Sequence, residues 1–429
     1  MEKYLSYKDS GVQWLGEIPS HWKVKKIRHI LSLANEKTKE SGGELLSLSQ
    51  YAGVTPKTDS NVGIRAAEDT TGYNIVHKGQ FVMNIMLAWN GSYAVSEYDG
   101  IISPAYCVFD FTRECDRRYY NYLLRMKVYS GAFKTESKGI IDSRLRLYPQ
   151  YFKNFPLIVP PIEEQRSMAT YLDKATAEID RAIAQQQRMI DLLNERKQII
   201  IQRAVTKGLD ENVEMKNSGI EWIGEIPVNW EVCKLKHLFK RIADGTHFSP
   251  KSIDDGYPYL TAADVRGIGI NYESTKKIST KDYHNLVSAG CKAFEGDILI
   301  VKDGATTGRV GLKTDNVECV TLSSVAMLTP QDIESTYYLM YMMMSDSMQK
   351  QISFSMSGAA MPRITLVKLK NFYAIKPPVL DQVAIVEFIK SRLEPVNIAI
   401  GRLEKQISLL QERKQIIISE VVTGKIKVS

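Results

Sequence analysis

Along two stretches of the chain the apolar residues advance in alternating steps of four and three. From Ile389 they fall at Leu393, Val396, Ile400, Leu403, Ile407, Leu410, Ile417 and Val421, with Lys414 on the same line. This heptad spacing predicts a long helix with one apolar seam. An earlier line runs through Leu172, Thr176, Ile179, Ile183, Gln186, Ile190, Leu193, Lys197, Ile200 and Ala204. Its polar members, Thr176, Gln186 and Lys197, weaken the seam, so the two lines are expected to cover each other as an antiparallel coiled coil. A helix of about 40 residues is about 60 Å long, which makes each a rod. Gly208 and Gly424 read as helix stops. Pro395 is expected to break or kink the second rod, leaving Asp381 to Arg392 as a separate shorter helix.

Between the rods the period changes from helical to alternating. GQFVMNIMLAWNGSYAV with DGIISPAYCVF, and later GDILIVKDGATTGRVGL with ECVTLSSVAML, alternate β-branched and aromatic residues between glycine and proline turns, a pattern of short strands. Helices are expected over Asp116 to Ala132 and Glu334 to Ile352. In the latter, the stripe Tyr337, Met340, Tyr341, Met344 reads as core packing.

The chain repeats itself. Residues 9–30, DSGVQWLGEIPSHWKVKKIRHI, and 217–238, NSGIEWIGEIPVNWEVCKLKHL, agree at half their positions, and LLNERKQIII from Leu192 differs from LLQERKQIII from Leu409 at one. Extending the match backwards pairs Asn154-Phe155 with Asn371-Phe372, Pro160-Pro161 with Pro377-Pro378, Gln165 with Gln382 and Arg146 with Arg363. The similarity nearly vanishes across residues 40–140 against 248–355. The expected division is a mixed domain over 1–158, a helical region over 159–208, a second mixed domain over 209–375 and a second helical region over 376–429. The fold class is α+β, or mixed α/β, closing into a pseudo-two-fold ring. Packing the rods antiparallel would put the divergent segments at opposite ends, a caliper suited to two half-sites on B-DNA with an untouched gap between them. An old duplication whose middles drifted, with the coil serving only assembly, stays open.

Composition narrows the class. Of 429 residues 44% are hydrophobic and 24% charged, and Lys+Arg outnumber Asp+Glu by 56 to 49, so the chain is globular with a mild preference for polyanions. Its five cysteines form no CxxC pair, which argues against a zinc ribbon or a disulfide framework. No apolar run is long enough to span a bilayer, and the chain reads as cytoplasmic with no membrane partner. A GxxxxGK[ST] loop, GxGxxG, HExxH, GxSxG and the NPP[YF] tetrapeptide are all missing. Asp303 to Arg309 superficially resembles a phosphate loop but lacks its Lys-Ser/Thr pair and reads as a turn between strands. Catalytic residues and metal ligands: none.

Binding chemistry remains. The first divergent segment offers Gln50, Tyr51, Arg65, Asn84, Trp89, Asn90, Lys138, Arg144 and Arg146, and the second offers Thr246, His247, Lys251, Lys302, Thr306, Arg309 and Arg363. Arg reads guanine edges, Asn and Gln read adenine edges, and Lys or Arg anchor phosphates. For any one of them a surface ion pair or a turn role is the competing reading.

The WLGEIP-x-x-W and WIGEIP-x-x-W openings (Trp14 to Trp22, Trp222 to Trp230), the Pro-Pro-x-x-x-Gln helix entries and the ERKQIII exits together resemble the specificity subunit of type I restriction-modification systems over nearly the whole chain. WNG at Trp89 to Gly91 with SPAY at Ser103 to Tyr106 looks like one class of target recognition domain. ADGTH at Ala243 to His247 and GDIL at Gly296 to Leu299 look like another. The second helix entry has Asp381 where the first has Glu164, a conservative departure. The resemblance implies a non-catalytic, sequence-specific reader of double-stranded DNA with a bipartite, asymmetric target. It implies two modification subunits that methylate adenine N6 with S-adenosylmethionine, and restriction subunits that use ATP and Mg, with no cofactor in this chain. A protein-binding scaffold with two divergent binding domains is the alternative, separable by the salt dependence of DNA binding.

Overall fold

A computed structural model describes residues 2–57, 69–139, 145–356 and 362–428. The chain folds into two compact units. The first comprises Met1–Gln186 with Lys405–Ser429, and the second Gln187–Glu404. Their borders cut both rods, so each unit takes the closing turns of the helix that begins in the other.

In the first unit the helices are α1 (Arg117–Leu124), α2 (Lys127–Glu136), α3 (Pro149–Phe152) and the start of α4 (Ile162–Lys207). An antiparallel sheet carries the strands Leu31–Ala34, Tyr106–Phe111, Phe81–Asn84 and Tyr93–Val95 in that order. Strand Lys23–Lys26 pairs with Pro156–Val159 just before α4. The core gathers Trp22, Phe81, Tyr93, Phe109, Tyr119, Phe133 and Phe152, and Ile418, Val421 and Val422 of the last rod join it beside Met168 and Leu172 of α4.

The second unit contains α5 (Thr280–Ser288), α6 (Thr336–Met344), α7 (Asp346–Ser355), α8 (Leu366–Lys370) and the start of α9 (Val379–Val422). Its frame repeats the first: Glu231–Lys234 pairs with Tyr373–Lys376 just before α9. Its sheets do not. Five strands run in the order Phe239–Asp244, Val325–Pro330, Ile298–Val301, Val310–Leu312, Gly267–Ile268, with the last pair parallel. A second sheet includes the parallel pair Tyr257–Leu260 and Cys319–Thr321. Both units therefore mix helices with strands as expected, over one frame and two different sheet arrangements.

The heptad line survives residue by residue. In α9, Ile389, Leu393, Val396 and Val421 are buried and Ile400, Leu403, Ile407, Leu410, Lys414 and Ile417 half-buried. Within the first unit Lys414 Nζ contacts Asp180 at 2.7 Å, and within the second Lys197 Nζ donates to Asn397 Oδ1 at 2.7 Å. Together with the pairing of Leu172 with the Val421 region, and of Ile201 with the Ile385 region, these contacts make the rods antiparallel in each unit. Three of the polar positions on the seams are used: the two lysines find cross-rod partners, and Thr176 returns its hydroxyl to the Leu172 carbonyl at 2.7 Å. Pro395 does not create a separate helix. Helix α9 is continuous from Val379 to Val422 with the proline inside, because Leu393 and Val396 bury on either side of it and this packing offsets one lost backbone hydrogen bond.

Each expected helix of the divergent segments is instead two. Met126, with φ −64° and ψ 144°, separates α1 from α2. Ser345, with φ −64° and ψ 152°, separates α6 from α7 and caps α7 by accepting from the Met348 N–H. The Tyr and Met stripe is core packing: Met340 and Tyr341 are buried, with Tyr337 and Met344 packed against them. Residues Asp303 to Arg309 do connect two antiparallel strands. Among the described residues no helix is long and apolar enough to cross a membrane.

Gly208 and Gly424 each have φ of +73°, the left-handed conformation that ends a helix. A Cβ on Gly208 would lie 3.2 Å from Trp230, whereas one on Gly424 would lie 2.5 Å from the Pro19 ring and 2.7 Å from Trp22. Gly208→Ala is expected to lose about 1–2 kcal/mol to backbone strain. Gly424→Ala is expected to lose a further ~1–3 kcal/mol to overpacking against rigid rings, and denaturant unfolding of the two variants checks the order.

Candidate nucleic-acid interface

The same polar latch fixes each divergent segment to its rods. In the first unit Trp22 Nε1 donates to Glu164 Oε2 at 2.9 Å, Gln165 Nε2 donates to the Pro160 carbonyl at 2.8 Å, and the Tyr119 hydroxyl reaches the Val422 carbonyl at 3.1 Å. In the second, Trp230 Nε1 donates to Asp381 Oδ2 at 2.9 Å, Gln382 Nε2 to the Pro377 carbonyl at 2.9 Å, and the Tyr338 hydroxyl to the Ile375 carbonyl at 3.1 Å. The Trp and Pro-Pro-x-x-x-Gln signatures are therefore structural, and Glu164 and Asp381 do one job.

The Glu164 set is the more elaborate. Its carboxylate also accepts from the Tyr4 hydroxyl at 2.8 Å and lies 2.6 Å from His21 Nε2. Burial pushes this carboxyl up, but the hydrogen bonds from His21, Trp22 and Tyr4 outweigh burial and hold it below the ordinary 4.5. Burial and the same carboxylate push the Tyr4 phenol well up. A lowered carboxyl stabilises the fold fully above pH 4.5 and loses that contribution as pH falls through the lowered value. Acidification below pH 4.5, through the lowered value, is therefore expected to loosen the docking of Tyr4 and Trp22 ahead of global unfolding, read by tryptophan fluorescence. Glu164→Gln should flatten that pH dependence.

Above the first frame, several candidate readers converge on the connection between strands Phe81–Asn84 and Tyr93–Val95. Trp89 sits half-buried in a short turn of helix, its Nε1 donating to the Met86 carbonyl at 3.1 Å. Asn90 Oδ1 accepts from Ser92 Oγ. Gln50 and Tyr51 form the tip of the Leu46–Ser49/Gly53–Pro56 hairpin, where Arg125 donates to both of their carbonyls and Tyr51 is 85% exposed. Lys138 and Arg146 exchange backbone hydrogen bonds at 2.9 Å, and Leu147 N–H donates to the Ile85 carbonyl, bringing that exposed basic pair to the same place. Lys138 lies 5.0 Å over the Tyr151 ring. Asn84 is buried, its Oδ1 accepting from the Met86 N–H at 3.0 Å, so it shapes the turn instead of facing outward. Arg65 and Arg144 lie outside the described residues. Sequence reading missed Lys134, 5.2 Å over the Trp89 ring, and Arg125. Lys134 stands four residues before Lys138, a helical step that was the available signal; Arg125 had none.

In the second unit His247 and Lys251 are exposed on the loop after strand Phe239–Asp244. Thr246 Oγ1 accepts from the Phe248 N–H and its carbonyl from the Ser323 N–H. Thr306 and exposed Arg309 border an open crevice of about 930 Å³, with Arg266, Gln198 and Gln349 among its other walls. Lys302 is placed otherwise. Its side chain is 3% exposed, with Nζ 2.8 Å from Asp303 Oδ2 and 3.3 Å from Asp244 Oδ2, and so it is spent on an internal ion cluster. Half-exposed Arg363 extends that cluster, its Nε 3.1 Å from Asp303 Oδ1. No local signal marks Lys302 as buried, because its two carboxylates come from different strand ends.

Burial pushes the Cys107, Cys115 and Cys319 thiols up to about 11. Among the described residues no cluster of three His, Cys, Asp or Glu could hold a metal.

Comparison with known proteins agrees with this architecture. The chain is 26% identical over 356 residues to the type I restriction enzyme MjaVIII specificity subunit of Methanocaldococcus jannaschii, covering 80% of this chain and 79% of that protein. It is 22% identical to the putative MjaX specificity subunit of the same organism, covering 96% of each. A solved chain described under complex assembly and conformational transition of the type I R-M system shares its fold, with a TM-score of 0.59 at 18% identity, covering 95% of this chain and 99% of that one. The family model for the type I restriction modification DNA specificity domain matches twice, over residues 19–187 and 227–408. Two matches that together take in most of the sequence, one on each latched frame, place the chain in the family of type I restriction-modification specificity subunits.

Proposed function

We propose that the chain reads a bipartite, asymmetric double-stranded DNA target, one half with each unit, and directs the adenine-N6 methylation and restriction carried out by partner subunits. As a specificity subunit it is the non-catalytic component. The observation that carries the proposal is the pairing of one repeated frame with two unlike sheet arrangements. A repeated frame presents its heads equivalently, and unlike heads recognise unlike sequences. Tyr51, Trp89, Asn90, Lys138 and Arg146 form the reading edge of the first unit, and His247, Lys251, Thr306 and Arg309 that of the second, with lysines and arginines on phosphates and the aromatic and amide groups at bases. Lys302 and Asn84 act by holding those edges in shape. Two modification subunits would bring S-adenosylmethionine, and restriction subunits would bring ATP and Mg.

The test is genome-wide adenine methylation mapping in cells expressing this chain with its modification subunit, against the modification subunit alone. A split motif with two unlike halves appearing only with the chain is the expected result. No new motif, with both proteins expressed and associated, would overturn it. DNA affinity independent of salt would then favour a protein-binding scaffold.

A further inference from the structure

The two latches differ in one respect that the shared frame does not require. In the first unit the space beside Trp22 and Glu164 is filled by the chain itself. The Tyr4 ring stands edge-on to Trp22, with centroids 5.6 Å apart and planes at 73°, and its hydroxyl donates to Glu164 at 2.8 Å. His21 closes the other side. Tyr4 belongs to a segment held to the end of the last rod by the Glu2–Lys427 bridge and by the Tyr7 hydroxyl on the Gly424 carbonyl.

In the second unit the equivalent segment is the covalent connection from Gly208 into strand Met215–Asn217. Ser20 N–H bonds to the Ser6 carbonyl in one unit and Val228 N–H to the Glu214 carbonyl in the other. This correspondence aligns Tyr4 with Asn212, which is exposed, and His21 with Asn229. Asp381 is also one methylene shorter than Glu164. The result is a cavity of about 290 Å³ lined by Gly208, Pro227, Asn229, Trp230, Asp381 and Ala384, a size at the small end of ligand sites.

We propose that this cavity binds a 4-hydroxyphenyl group, whose ring lies against Trp230 and whose hydroxyl donates to Asp381, as Tyr4 does in the first unit. A wall of Trp230, Ala384 and Ile385 with the Asp381 carboxylate on it suits an aromatic donor, and Asp210 and Lys207 complete the lining. The group is either a tyrosine side chain presented by a docked polypeptide or a free phenol, and the two sources share this chemistry.

The test follows the indole N–H resonances of the full-length chain, with that of Trp230 assigned through Trp230→Phe, during titration with p-cresol. A saturable shift at Trp230 is expected, roughly tenfold weaker with p-xylene, which lacks the hydroxyl. Asp381→Asn should weaken binding while leaving the fold intact by circular dichroism. Ala384→Phe should abolish the shift by filling the space, and Asn229→His, which restores the first unit's imidazole, serves if that variant fails to fold. Tyr4→Ala should open the matching space, so that p-cresol then shifts Trp22, which it leaves unmoved in the parent chain. N-acetyltyrosinamide giving the same Trp230 shift supports a tyrosine side chain as the source, and p-cresol alone giving it supports a free phenol. A Trp230 resonance unmoved by p-cresol at tens of millimolar, or one shifted equally by p-xylene, overturns the proposal.

Discussion

Lys302→Met is expected to destabilise the second unit by about 1–3 kcal/mol, the cost of taking the buried ammonium away from two partly exposed carboxylates, of which Asp303 keeps Arg363. Methionine preserves the length and apolar stem of lysine, so packing is nearly conserved and the loss isolates the ammonium. That ammonium lies 2.8 Å from Asp303 and 3.3 Å from Asp244, at the ends of two strands that flank a third, and its side chain is 3% exposed. Arg309→Ala supplies the contrast. Its side chain is exposed at the crevice rim, so stability should change by less than about 0.5 kcal/mol. If Arg309 meets a phosphate, DNA affinity should fall and the slope of log affinity against log salt should drop by roughly one. Denaturant unfolding and salt-dependent DNA binding on both variants check the pair. A Lys302→Met protein that unfolds like the parent yet binds DNA with a reduced salt slope would return Lys302 to the reading surface.

That contrast marks where sequence is informative. The seam from Ile389 to Val421 was legible because its evidence is periodic: every burial step is echoed by the next turn, and the lines match the observed exposure position by position. The frame was legible because it occurs twice, so Trp22 with Trp230 and Gln165 with Gln382 stood out. What they do was not, since the indole-to-carboxylate bonds join residues 142 and 151 positions apart in sequence. Pro395 misled because a local rule about one missing N–H was weighed without the packing of Leu393 and Val396. Met126 and Ser345 misled for the opposite reason: the helical period runs on through a residue whose ψ has turned extended. Residue type alone placed Asn84, Lys302 and Arg309 in one category, and burial then separated them.

Inserting four residues next to Gln186 is expected to change the length of the untouched gap in the methylated motif and leave both halves of its sequence intact. Gln186 is the last residue of α4 assigned to the first unit, and Gln187 the first assigned to the second. It is also a polar, half-buried point on the seam, where lengthening disturbs the least apolar packing. Four residues add about 6 Å and slightly more than one turn, so the seam beyond the insertion rotates by about 40° and some loss of stability accompanies the change. Seven residues, two nearly whole turns, add about 10 Å and keep the apolar line closer to its face. The seven-residue variant should therefore be the more stable of the two while shifting the gap further. Methylation mapping of both variants beside the parent reads gap and half-sites together. A parent gap with altered halves would mean that α4 contributes to base reading and does not act as a spacer.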